Sequence, residues 1–219
     1  QNIGLTWDSQ YRLAVVSTNG VECERNGYRP DGLRAWSWDG ATTNYFVYSG
    51  ADLIAEVDST GGLRRAYVYA GLDFPLAMTV YTSGVATTYF YLTDKMGTVH
   101  AVADQSGSIV EQYRMDAWGR VLGVYDGQGN PIAESAIGNR LLFHGREYNF
   151  KTGFYCYRLR FADPRTGRFL SPDPLGIAAG LNTYIMMGGN CANYRDPFGL
   201  STGGDDTSYW DRVNRGMAA

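Results

Sequence analysis

A chain of 219 residues, 44% of them hydrophobic, can bury a real core as one domain or two small ones, which excludes a disordered polypeptide. A formal net charge of −3 without any Lys/Arg run excludes a nucleic-acid surface, because phosphate backbones require clustered positive charge. Nothing approaches the ~20 consecutive apolar residues of a membrane span.

The chain begins with Gln1, and no charged n-region and apolar h-region follow, so an export signal is not visible and the chain reads as a fragment or processed piece. Cys23, Cys156 and Cys191 lie far apart, and with only His100 and His144 beside them they do not make a zinc site. No metal or cofactor is expected. The cysteines read as small buried hydrophobes, with a Cys156–Cys191 disulfide as the alternative.

Seventeen Tyr and 28 Gly against 19% charged residues point to an all-β, turn-rich fold. In chain order, TNYFVYSG (Thr43 to Gly50), LRRAYVYAG (Leu63 to Gly71), TTYFYLTD (Thr87 to Asp94) and SIVEQYRMD (Ser108 to Asp116) are β-branched and aromatic runs bounded by turn residues, hence strands. A helical period is hinted only at GADLIAEVD (Gly50 to Asp58), too short to outweigh its flanking turns. The turns repeat. DSTGGLRRAY (from Asp58) and DQSGSIVEQY (from Asp104) share D-x-x-G-x-Φ-x-x-x-Y, where Φ is apolar, and YLTDKMG (from Tyr91) and YRMDAWG (from Tyr113) share Y-x-x-D-x-x-G. Asp caps its own turn and Gly takes the left-handed position, so each unit reads as a hairpin in a stack of hairpins.

These motifs resemble the tyrosine-aspartate (YD) repeats of bacterial Rhs proteins, relatives of teneurins, over roughly residues 38 to 122. A more specific resemblance follows between Gly145 and Leu200. There TGFY (from Thr152), RLRF (from Arg158), DPRTGRF (from Asp163), SPDPLG (from Ser171), GLNTY (from Gly180) and DPFGL (from Asp196) are similar, almost position by position, to the Rhs-repeat-associated core. Two departures stand out. GNCANYRDP carries Cys191 where relatives usually have Pro, and TDKMG lacks a His often seen there.

The resemblance implies a curved antiparallel β-hairpin sheet, a segment of a hollow YD-repeat shell, closed by a compact core that spirals inward as a plug. The implied division is 1–141 for YD repeats, 142–200 for the core and 201–219 for the start of a variable C-terminal region. It implies a shell around a cargo, often a toxin, and a core that cuts its own chain as an aspartyl autoprotease. By position Asp173 and Asp196 are the catalytic pair, Arg160 assists them, and Leu200–Ser201 is the scissile bond. The implied partners are the remaining shell and the cargo. The implied location is secreted or at the bacterial cell surface.

Residue chemistry agrees with that role. Two carboxylates sharing a proton can activate water and protonate a leaving amide, and Pro after each Asp stiffens the loop that presents it. Asp-Pro-x-Gly is equally a plain turn motif, as Asp163-Pro164 shows. Arg158 shares a strand face with Arg160, so either arginine can be the partner. His144 reads as a hydrogen-bonded strand residue rather than a general base. Tyr155, Tyr157, Phe161, Phe169, Leu170 and Leu175 are expected to fill the plug, and the unpaired edges of an open sheet are expected to meet further repeats, a second copy or a partner. Two other functions remain open: a non-catalytic structural or adhesive repeat, and a carbohydrate-binding β-domain using the many aromatics.

Overall fold

The computed structural model describes residues 2–200. Thirteen strands pair strictly in chain order as an antiparallel meander. They are β1 (Ile3–Trp7), β2 (Leu13–Thr18), β3 (Val21–Tyr28), β4 (Arg34–Trp38), β5 (Thr43–Ser49), β6 (Asp52–Val57), β7 (Leu63–Gly71), β8 (Phe74–Thr82), β9 (Val85–Thr93), β10 (Val99–Ala103), β11 (Ile109–Met115), β12 (Val121–Asp126) and β13 (Pro131–Ile132). The stretch with a helical hint is strand β6. A second sheet follows, with four antiparallel strands: β14 (Glu147–Asn149), β15 (Phe154–Tyr157), β16 (Arg160–Asp163) and β17 (Arg168–Phe169).

The D-x-x-G turns work as their chemistry requires. Asp58 Oδ1 accepts the N–H groups of Thr60 and Gly62, both at 2.9 Å, while Gly61 sits at φ +84°. The same pattern recurs at Asp94, Asp104, Asp116 and Asp126. Register shifts interrupt most strand pairs, among them Val16/Ser17, Val47/Tyr48 and Val102/Ala103. An extra residue on one strand bends it and increases its twist, and repeated bulges curve the sheet.

The tyrosines of the repeat point inward. Tyr67 donates to Glu56 at 2.6 Å, Tyr113 to Glu111, and Tyr91 to Asn139 at 3.1 Å. Asn139 in turn donates to the Tyr113 hydroxyl, so the loop that leaves β13 is tied to the inner face of the sheet. A single apolar cluster then runs across both sheets, from Phe46, Met78 and Tyr113 to Tyr155, Tyr157, Phe169 and Met187. A smaller one joins Leu13 and Val16 to Phe154, Cys156 and Phe161.

Two expectations are corrected. Leu175 is half-buried and belongs to neither cluster, whereas Leu200, Met186 and Met187 are wholly buried. His144 is not in a strand: it occupies the left-handed region (φ 52°) of the 3-10 turn Phe143–Gly145, where it stacks on Phe143. The reading of the cysteines as small hydrophobes holds for the buried Cys156 and Cys191: all three cysteines are free, and the Cys191 thiol donates to the Ala117 carbonyl at 3.2 Å, which leaves the alternative Cys156–Cys191 disulfide unformed.

Candidate active site

The two Asp-Pro-x-Gly turns meet in the core. In the first, the Asp173 N–H donates to Thr183 O and the Gly176 N–H to Asp173 O, both at 2.9 Å, while Asp173 Oδ1 accepts the Leu175 N–H at 2.8 Å. In the second, Asp196 O accepts the Gly199 N–H and Asp196 Oδ1 accepts the Leu200 N–H at 2.8 Å. Pro at the second turn position makes each loop stiff, and Gly199 at φ +70° lies so close to the Tyr157 carbonyl that a side chain there would collide with it.

Arg160 of β16 joins the turns. Its Nη2 lies 2.7 Å from Asp173 Oδ2 and 3.7 Å from Asp196 Oδ2, its Nε donates to the Gly199 carbonyl, and its Nη1 donates to Thr183 O at 2.9 Å. One guanidinium thus touches both carboxylates and the chain one residue before Leu200. The guanidinium also lies 3.7 Å over the Phe169 ring. Asp173, Asp196 and Arg160 are buried, and Leu200 is fully enclosed. Burial pulls the guanidinium below the usual arginine value, with Asp173 and then Asp196 opposing it. Tyr157 closes the site from β15, packed edge-on against Phe169. Ser201, the other half of the expected scissile bond, lies outside the described residues.

The ambiguity between the two arginines resolves through the geometry of a tight turn. Arg158 has φ 58°, so it does not share the face of Arg160. It turns to Asp73, at 2.8 and 3.1 Å, and donates to the Pro197 carbonyl. Asp73 was invisible as a site residue in the sequence. It sits in GLDFP, the turn between β7 and β8, which lacks the D-x-x-G pattern of its neighbours, and that irregularity is the only signal it offered.

No family model matches the chain. Among curated proteins, the double-stranded DNA deaminase toxin A of Burkholderia cenocepacia is 31% identical over 225 residues, covering 90% of this chain and 15% of that protein. The probable deoxyribonuclease RhsA of Dickeya dadantii is 29% identical over 211 residues, covering 89% and 13%. This chain therefore spans only a small part of the relatives' length. A solved structure of the Photorhabdus luminescens Tc holotoxin pore superposes with a TM-score of 0.69 over 91% of this chain and 10% of that one, at 21% identity, which shows a shared β-shell fold. Sequence repeats, all-β architecture and relatives agree, and the chain belongs to the Rhs/YD-repeat family.

Proposed function

We propose that this chain is the C-terminal segment of a secreted or cell-surface Rhs shell that encloses a variable, toxin-type cargo, and that its core cuts the chain once, after Leu200. The observation that carries the reading is the Arg160 guanidinium, which binds both Asp173 and Asp196 while its Nε holds the Gly199 carbonyl beside the expected cut.

In this mechanism Asp173, the closer carboxylate to Arg160, takes a proton from the attacking water. Asp196, four residues from the bond, delivers the shared proton to the Ser201 nitrogen as the Leu200 carbonyl carbon gains hydroxide and the C–N bond breaks. The products are a Leu200 carboxylate and a free Ser201 amine. The substrate is the enzyme's own strand, already anchored through the Leu200 N–H to Asp196, so the reaction has the advantage of a very high effective concentration. The rate should be bell-shaped in pH, reporting the pair rather than either residue.

The ion pair equally favours a second reading, in which Arg160 merely locks two turns of an inert structural repeat. A stable reporter domain fused after Ala219 separates them. Cleavage at Leu200 in the parent and an intact, folded Asp173→Asn fusion are expected from the autoprotease. A parent fusion that stays whole from pH ~4 to 8, or an Asp173→Asn form cut equally fast, leaves the lock.

A further inference from the structure

Asp73 belongs to the sheet, yet it is wired into the strand that the core presents for cutting. Its carboxylate is fully buried and meets three arginines of the core: Arg146, Arg158 and, at 3.8 Å, Arg195. Burial alone would push this carboxyl up, and Arg146 followed by Arg158 outweigh it, so it stays ionised below the ordinary range.

Two of these arginines bracket Asp196. Arg195 precedes it, donates to the Leu72 carbonyl at 2.7 Å and stacks 4.3 Å over Phe74, so it grips the β7–β8 turn on both sides of Asp73. Arg158 donates to the carbonyl of Pro197, which follows Asp196, and the adjacent Leu159 N–H donates to Phe198 O at 3.3 Å. Remove the charge of Asp73 and both grips lose their common anchor.

The position of Asp73 is itself over-determined. It lies in the left-handed region at φ 61°, and its carbonyl presses against two glycines, Gly97 of the YLTDKMG repeat and Gly145 at the start of the core. At either glycine a Cβ would overlap the Asp73 carbonyl oxygen. One repeat turn and the first core turn therefore both leave space for the β7–β8 turn.

We infer that Asp73 is a positioning residue for the cleavage site: through Arg158 and Arg195 it sets the path of Arg195–Leu200, and cleavage therefore waits until the β7–β8 hairpin of the shell has docked on the core. The inference rests on the autoproteolysis reading for its consequence, since it makes Asp73 a condition for that reaction without touching the reacting atoms.

The test uses the full chain with the reporter after Ala219. In molecules shown to be folded by circular dichroism and sheet hydrogen exchange, Asp73→Asn is expected to cut at least ~10-fold more slowly than the parent, and Asp73→Glu to recover most of the rate. If Asp73→Asn does not fold, Arg158→Lys replaces it, because it keeps the charge beside Asp73 and loses the fork that reaches Pro197 O; it too is expected to cut at least ~10-fold more slowly. A folded Asp73→Asn or Arg158→Lys protein that cuts at the parental rate overturns the inference. A second arm runs in the Asp173→Asn background, where no cutting occurs: adding Asp73→Asn or Arg158→Lys should accelerate exchange of the Gly199 and Leu200 amides while β10–β12 stay protected. Unchanged exchange there overturns the positioning role. If the parent fusion is never cut, the autoproteolysis reading fails alone, and this second arm still decides whether Asp73 holds the strand.

Discussion

Aspartate does opposite jobs in the two halves of this molecule. In the sheet, Asp58, Asp104 and Asp126 stand at the surface and each accepts backbone N–H groups two and four residues ahead, so every bond closes within one turn. In the core, Asp173 and Asp196 are buried and bound to an arginine brought in from another strand, and Asp73 is held the same way from the sheet side. The first arrangement is local and repeated, so losing one copy costs little. The second is long-range and unique, and an unpaired charge left behind in it has no water to turn to. Stability should therefore be spread thinly over the hairpins and concentrated in a few residues of the core.

The strongest way to break that contrast is Arg160→Ala. It leaves two carboxylates together in a buried site, and we expect a loss of about 3–5 kcal/mol in urea unfolding along with loss of cleavage. A loss below ~1 kcal/mol would mean that water reaches the pair and the core is as forgiving as a turn.

Phe169→Ala tests the apolar side of the same contrast. Phe169 lies 5.6 Å from Tyr157 in an edge-on pair and under the Arg160 guanidinium, and it is buried in the cluster that spans both sheets. Truncation should cost about 3–5 kcal/mol by thermal or chemical unfolding. A near-neutral result would move the centre of the core away from β17.

Acid should weaken the core before it weakens the turns. Burial, followed by the neighbouring Arg195, lowers the His144 pKa from 6.5 to about 4, so the native state favours neutral imidazole. The unfolded chain takes up its proton near pH 6.5 and the native chain only near pH 4. Stability is therefore complete above pH 6.5 and falls by about 3 kcal/mol between pH 6.5 and 4. His144→Asn tolerates the left-handed backbone and removes the titration; its unfolding free energy should be flatter over that window, and an equally steep profile would assign the acid sensitivity to another group.

The smallest effects sharpen the comparison most finely. Gly61 and Gly97 hold the same place in the repeat at φ +84° and +82°, but a Cβ at Gly61 meets open space and one at Gly97 meets the Asp73 carbonyl. Gly61→Ala should cost only the left-handed backbone, roughly 1–2 kcal/mol. Gly97→Ala should cost measurably more in the same denaturant series. Equal losses would show that the β7–β8 turn moves aside freely.

The strands and the turns of the sheet were readable from the residues because their determinants are local. Asp and Gly three apart close a turn wherever they occur, and aromatic runs between turns have one face to bury. The same locality made the two Asp-Pro-x-Gly loops and the Phe169 core position legible. Nothing in the neighbours of His144 announces its left-handed turn, and Leu175, an apolar residue beside Asp-Pro, looks like core until Leu200 is seen filling the interior.

What the chain order could not express is which charge meets which. Arg158 and Arg160 lie two apart on a run that reads as one strand, and only the turn at Arg158 sends one guanidinium to Asp73 and the other to Asp173 and Asp196. Asp73 lies 123 residues before Asp196 and shares no motif with it. Their connection exists only once the sheet curves and the core docks, because a buried ion pair is specified by the geometry of two distant backbones and by the exclusion of water between them, and neither is written in any short stretch of sequence.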